Sequence, residues 1–366
     1  MRKSLQRQIA TGILVCGLVV ACRAADAIDE IVVRPLIDRP GRDTYCEAVG
    51  AAFDGASVSI DILLSTVEVE DDPLLDDLIE AHDRGVVVRM LLDSSDWAPE
   101  ITDKNRRTAD HLAARGIEVR FDDPAVTTHA KLVIVDRALV VVGSTNWNDY
   151  AFAEHEQANV WIESAAVAAA FGDVFDRLWD DRPAPQVADL DLDSAFAAGT
   201  AVVPLLDTDG TCLYASCLLG LIERARRTIH VVMYRLSIYP DYADSASNRI
   251  VQALIAALGR GVDVKVLLDD CSYYAESADA NLMSAIYLHQ RGIDVRFDLP
   301  ERTTHAKLVI VDGASVLLGS TNWNYYSIER NVEANVALLQ VPAVAEAYEA
   351  FFDAVWREGR SIGSAD

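Results

Sequence analysis

Histidine, lysine, serine and asparagine recur in this chain at one spacing, twice over. Residues 127–136 read TTHAKLVIVD, and residues 303–312 repeat all ten letters. After six intervening residues comes GSTNWN, at 143–148 and again at 319–324. Both blocks share one offset, 303 − 127 = 319 − 143 = 176 residues. A shared offset means that a whole structural unit has been duplicated, so the chemistry belongs to a pair of half-sites.

Alternate residues of a strand share a face, which groups His129 with Lys131 and His305 with Lys307. Gly143 and Gly319 then permit a close backbone approach, and Ser144, Asn146, Ser320 and Asn322 offer neutral hydrogen-bonding groups to anionic oxygens. Phosphodiester chemistry uses this inventory. One imidazole can attack phosphorus, a second can protonate the leaving alcohol and later activate the incoming one, and two lysines can hold the equatorial oxygens. A lysine two residues from each histidine repels cations, so neither metal nor cofactor is expected. Asp136 and Asp312 have the opposite parity and close the strand, a place for a structural hydrogen-bonding or ion-pair group.

HxKxxxxD followed by GSxN, present twice, resembles the phospholipase D superfamily, which includes phospholipases, cardiolipin synthases and nucleases. The resemblance extends over nearly all the mature chain. It implies a duplicated α/β fold, two α-β-α lobes related by a pseudo-twofold axis, with one active site between them and a covalent phosphohistidine. Catalytic roles pass to His129, Lys131, His305 and Lys307, with Asp136 and Asp312 completing the motif, and phosphate contacts to Ser144, Asn146, Ser320 and Asn322.

A catalytic histidine needs an acceptor on its other ring nitrogen to fix its tautomer. The family places that group on the strand after GSxN, where Glu333 of the second half aligns with Gln157 of the first. The first half thus departs from the family pattern. Pairing within each half puts Glu333 behind His305, suiting it to be the general acid, and Gln157 behind His129, suiting it to be the nucleophile. A one-residue bulge would bring Glu156 into the place of Gln157.

The supporting elements read as α/β layers. Strands are predicted at 31–33, 58–64, 86–92 and 117–121, with helices at 44–53, 73–84 and 103–114, and the second half repeats the order with a longer loop and helix at 238–260. The predicted organisation is a signal peptide at 1–22, lobe 1 at 30–181, a Pro- and Asp-rich linker at 182–198 and lobe 2 at 199–360.

Arg2, Lys3 and Arg7 precede the short apolar run 9–21, which reads as an export signal. Val19-Val20-Ala21-Cys22 resembles the bacterial lipobox, which would lipidate Cys22 and anchor the chain to a membrane. The competing Ala25-Asp26-Ala27 site would release a soluble secreted or periplasmic protein. Outside the cytoplasm, Cys46, Cys212, Cys217 and Cys271 allow three pairings, among which the spacing does not choose.

The formal charge of −25 argues against a general polyanion binder, since nucleic-acid affinity leans on Lys and Arg. Trp97, Tyr273 and Tyr274 fall in loops beyond strand ends, and Trp147, Tyr150, Trp323, Tyr325 and Tyr326 follow the motifs. Such rings suit a lipid at a membrane surface, base stacking, or the core. The expected function is a metal-independent phosphodiesterase that hydrolyses or transfers a phosphatidyl group. A secreted endonuclease of the same superfamily and a non-catalytic binding protein are the alternatives. A monomer suffices for a complete site.

Overall fold

The computed structural model describes residues 20–21, 31–68, 73–183 and 190–362. The expected export signal falls almost wholly outside the described residues, Cys22 included. Val20–Ala21 pairs antiparallel with Ala201–Val202. Among the described residues no helix is long and apolar enough to cross a membrane.

The first lobe is built from β1 (Val32–Asp38), α1 (Thr44–Gly55), β2 (Ser59–Leu64), α2 (Pro73–Asp83), β3 (Val87–Leu92), α3 (Pro99–Ala113), β4 (Glu118–Phe121), β5 (Lys131–Val135), β6 (Leu139–Gly143), α4 (Asp149–Ala153), β7 (His155–Glu163) and α5 (Ala165–Trp179). The second follows with α6 (Leu192–Ala197), β8 (Ala201–Asp207), α7 (Leu213–Arg224), β9 (Thr228–Met233), α8 (Ala246–Gly259), β10 (Asp263–Leu268), α9 (Ala275–His289), β11 (Asp294–Phe297), β12 (Lys307–Val311), β13 (Ser315–Gly319), α10 (Tyr325–Glu329), β14 (Glu333–Leu339) and α11 (Pro342–Glu358). Strand order is β1-β7-β6-β5-β2-β3-β4 in one sheet and β8-β14-β13-β12-β9-β10-β11 in the other. Adding seven to each label converts the first order into the second, so the repeat read from two decapeptides is a repeat of topology.

Several predicted boundaries shift for local reasons. The first strand runs on to Asp38 across Pro35, which is tolerated because β1 lies at a sheet edge and its missing N–H breaks no central ladder. Helix α3 starts at Pro99, whose fixed φ suits the first turn. Neither short helix after the motifs, α4 or α10, was predicted. Asn148 caps the first by accepting from Ala151 N at 2.9 Å, and Asn324 caps the second by accepting from Ser327 N at 3.0 Å.

The central strands are covered on both faces. Even-numbered Leu132 and Ile134 join Leu308 and Ile310 in a core shared by the two sheets with α5 and α11, while Val133, Val135 and Val309, Val311 face the outer helices. Tyr348 of α11 also donates to Asn159 O of β7 at 2.6 Å. Among the described residues, Cys46, Cys212, Cys217 and Cys271 are free thiols.

The lobes exchange backbone. Thr303–Thr304, just before the second motif, pairs parallel with His155–Glu156 at the start of β7, and Thr128 bridges Val332 ahead of β14. His129 N donates to Val332 O at 2.8 Å, and Ala306 N donates to Glu156 O at 3.1 Å. Each histidine is therefore presented by one lobe and braced by the other.

Candidate active site

The histidines sit one step before β5 and β12, and the lysines open those strands. Two carboxylates, all buried except the half-buried Asp122, fix the turn before each histidine. Thr128 N donates to Asp93 at 2.7 Å and to Asp122 at 3.1 Å, and Thr304 N donates to Asp269 at 2.6 Å and to Asp298 at 3.1 Å. Burial pushes Asp269 up to about 6, burial with repulsion from Asp93 pushes Asp122 up to about 6, and burial with repulsion from Asp269 pushes Asp298 up to about 8.

His129 Nδ1 lies 3.0 and 3.1 Å from the two carboxylate oxygens of Glu333, and His305 Nδ1 lies 2.9 Å from Ser144 O and 3.3 Å from Gln157 Oε1. The partners are thus the reverse of those expected from pairing within each half. The cause is the backbone exchange, which threads the motif of each lobe beside the other lobe's last strand. Glu156 does not replace Gln157. It lies one step along β7 on the opposite face, where it accepts from Arg39 at 2.8 Å and Arg302 at 3.0 Å.

Burial pushes His129 down, and Lys131 and Lys307 add to this against the pull of Glu333. His305, with no carboxylate, is held well below the usual imidazole range by burial, Lys307 and His155. Glu333 resists burial and stays low because His129, Lys131 and Ser320 support its charge. Lys131 and Lys307 donate to His129 O and His305 O, both at 2.5 Å. Burial lowers Lys131 to about 7, and burial with repulsion from Lys131 takes Lys307 well down.

Other expected site residues have different work. Asp136 and Asp312 stand at the far ends of β5 and β12. Each occupies a left-handed position of the tight turn closed by Ala138 N to Val135 O or Ala314 N to Val311 O, both 3.0 Å. Asp136 accepts from the N–H groups of Ser57, Val58 and Ser59, and Asp312 from those of Arg226, Arg227 and Thr228. They build the hairpin and do not enter the centre. Ser144 and Ser320 are buried and turned onto Gln157 (2.7 Å) and Glu333 (2.5 Å), so they orient the groups behind the histidines and leave a phosphate to others. Asn146 and Asn322 both keep a buried Oδ1 without a partner, a matched pair of amides still open to a ligand.

The chain matches the family description cardiolipin synthase, PLD-like domain, over residues 50–179 and 218–356. This chain belongs to that PLD-like family. Mitochondrial cardiolipin hydrolase of Xenopus tropicalis is 31% identical over 155 residues, covering 42% of this PLD-like chain and 65% of that protein. Phospholipase D of Rickettsia typhi is 34% identical over 128 residues, or 35% and 55% of the two chains. The chain thus spans between about half and two thirds of the length of these relatives. Among solved structures, phosphatidylserine synthase of Haemophilus influenzae superposes with a TM-score of 0.69 at 12% identity, over 94% of this chain and 89% of that one, a likeness of fold.

Two residues at the centre of this PLD-like site were missed in the sequence. The ring of Tyr234 meets His305 edge-on at 4.8 Å and lies 4.7 Å from Lys307 Nζ, and His155 lies 5.7 Å from His305, centroid to centroid. His155 was readable at the 176 offset, opposite Asn331. Trp147 and Trp323 are core, each donating its indole N–H to a buried tyrosine, Tyr45 or Tyr214. Trp97, Tyr150, Tyr273, Tyr274, Tyr325 and Tyr326 are exposed. Among the described residues no group of three or more His, Cys, Asp or Glu side chains could hold a metal ion.

Proposed function

We propose that the chain is a phosphodiesterase or transphosphatidylase acting on glycerophospholipids through a phosphohistidine, without a metal. The observation that carries this reading is the convergence of two unequal histidine–lysine pairs on one centre. In the first step His129 Nε2 attacks phosphorus while His305 Nε2–H gives its proton to the departing oxygen. The new N-phosphoryl imidazolium keeps its Nδ1–H, and Glu333 neutralises the charge that forms there. His305, whose Nδ1–H faces a carbonyl and a neutral amide, takes up its Nε2 proton together with the substrate anion, holds it weakly and yields it readily. A substrate phosphate between Lys131 and Lys307 would offset the repulsion between the two ammonium groups. His129 therefore keeps the nucleophile's role for a reason opposite to the one that pairing within a half suggests. Two ammonium groups beside two imidazoles also make a poor cation site.

The rim supports a lipid. Tyr273 donates to Asp269 at 3.3 Å beside the second motif, Tyr274 follows, and α9 then exposes Leu282, Met283 and Ile286. In lobe 1 the residues at the 176 offset are Arg106, Arg107 and Asp110. An exposed apolar face on α9, the helix that follows Tyr273 and Tyr274, on a chain of charge −25 suits a membrane surface better than a nucleic-acid backbone. Export, with Cys22 as an anchor, would put the enzyme at such a surface.

The test offers purified mature protein in EDTA phosphatidylcholine with ethanol and, separately, single- and double-stranded DNA. Phosphatidylethanol is the expected product. DNA cleavage alone would move the substrate to nucleic acid, loss of activity in EDTA would end the metal-free mechanism, and an adduct on His305 that His129→Ala still forms would reverse the roles.

A further inference from the structure

Three of the differences between the two half-sites gather around His305. Behind the rings stand Gln157 and Glu333. At the end of β2 stands Ser65, where β9 leads into Tyr234, each donating its N–H to the alanine after a motif histidine, Ala130 at 3.1 Å or Ala306 at 3.2 Å. At the head of the last strand stands His155 in lobe 1 and Asn331 in lobe 2. Asn331 has a clear structural use, since its Nδ2 donates to Glu333 Oε1 at 3.1 Å. His155 has no such use. Its Nδ1 is buried without a partner, although its backbone is fixed opposite Thr303 by the exchanged strand and its ring faces His305. A purely structural residue at this place would be expected to bond its neighbour as Asn331 does.

We propose that His155 is a positioning residue that holds the second nucleophile, water or an alcohol, beside His305 for breakdown of the phosphoenzyme. This rests on the phosphohistidine reading above. After the first step His305 is neutral at Nε2. The incoming hydroxyl oxygen forms its bond to phosphorus, its proton passes to His305 Nε2, and the P–N bond breaks, returning the electron pair to His129 Nε2. His155 gains and loses nothing; a neutral imidazole accepts or donates one hydrogen bond to that oxygen. Burial and Lys307 hold His155 down at about 4, which keeps it in this neutral form near neutrality. Lobe 2 carries the amide at the matching place, so only one side of the centre is furnished for an incoming group.

The test uses the full mature chain with His155→Asn, which copies lobe 2, and His155→Gln, which keeps a long polar side chain should the shorter one disturb folding. Release of p-nitrophenol from a short-chain phosphatidyl-p-nitrophenol is followed by stopped flow, alkaline-quenched samples are assayed for phosphohistidine, and the products in ethanol–water are partitioned. The burst should stay within about twofold of wild type while steady-state turnover falls about tenfold or more, adduct accumulates and the ratio of transfer to hydrolysis changes. A burst that slows in step with turnover, or two variants that match wild type throughout, overturns the proposal. Wild type turning over with neither burst nor adduct overturns the two-step reading itself, which separates the two failures.

Discussion

Glu333 lies against Nδ1 of His129 at 3.0 Å, across the lobe boundary and 204 residues away along the chain. Its counterpart Gln157 lies 3.3 Å from Nδ1 of His305. One imidazole is backed by a charge and the other by a dipole, although both stand in the same ten-residue frame.

Glu333→Gln removes that charge and leaves the shape. The expected loss is about 100-fold or more in kcat with the fold intact by circular dichroism, the range usual for a positioned proton-handling group. Gln157→Glu works in the other direction. A carboxylate behind His305 raises its pKa, so the acid stays charged to higher pH and the alkaline limb of the kcat profile moves upward. Wild-type kcat in the first variant would refute the role of Glu333.

Ligand binding should be coupled to protons through the lysines. Burial holds Lys131 at about 7, and a bound phosphodiester anion raises it. Between the free and bound values binding takes up a proton, so affinity for dimethyl phosphate, whose own charge is constant near neutrality, weakens as pH rises past about 7. Calorimetry in two buffers of different ionisation heat reads the uptake directly. Equal heats after correction, with a flat affinity, would exclude it.

Glu156 is a strong point of the lobe boundary, since Arg39, Arg302 and the Thr304 hydroxyl all donate to it. Glu156→Ala leaves both guanidinium groups with Glu358 as their remaining carboxylate, at 2.7 and 3.1 Å, and should cost about 1–2 kcal/mol, less than a fully broken buried pair because both arginines are partly exposed and keep that partner. Urea unfolding measures the cost, and a midpoint equal to that of wild type would contradict it.

Gly319→Ala should lower stability and soluble yield. A Cβ there runs into Ala334 O and Asn335 Cα, backbone of the adjacent strand, which has nowhere to go, and Gly143 meets Ala158 and Asn159 in the same way. These glycines let the GSTN turn close so tightly that Asn335 and Asn159 reach Thr321 and Thr145, each at 2.8 Å. Thermal melts of either alanine variant test this, and wild-type melting would show that the sheet yields after all.

Much of the architecture was readable because duplication, strand parity and apolar runs are properties of the local chain. TTHAKLVIVD, the glycine before Ser144 and the alternation of strands with helices all report on their own neighbourhood. What escaped depends on contacts between segments far apart in sequence. Which histidine meets Glu333 is decided by the Thr128–Val332 bridge, as Thr303–Thr304 pairing on β7 decides which meets Gln157, and no periodicity within either half carries that information. The aspartates of the motif illustrate the same limit from the other side. Their parity and place at the strand end marked Asp136 and Asp312 as structural groups, and the left-handed turn supplies the reason that a short acidic residue stands there.

The exchange of strands between lobes also bears on descent. A lone half would have to find a second copy of itself to brace its histidine, and such a pair would be symmetric, with two glutamates or two glutamines behind the rings. Joining the copies in one polypeptide frees each ancestral position to be inherited separately. Residues 155, 157 and 234 could then diverge from 331, 333 and 65, and a centre that began as two equal sides could become one with a front and a back.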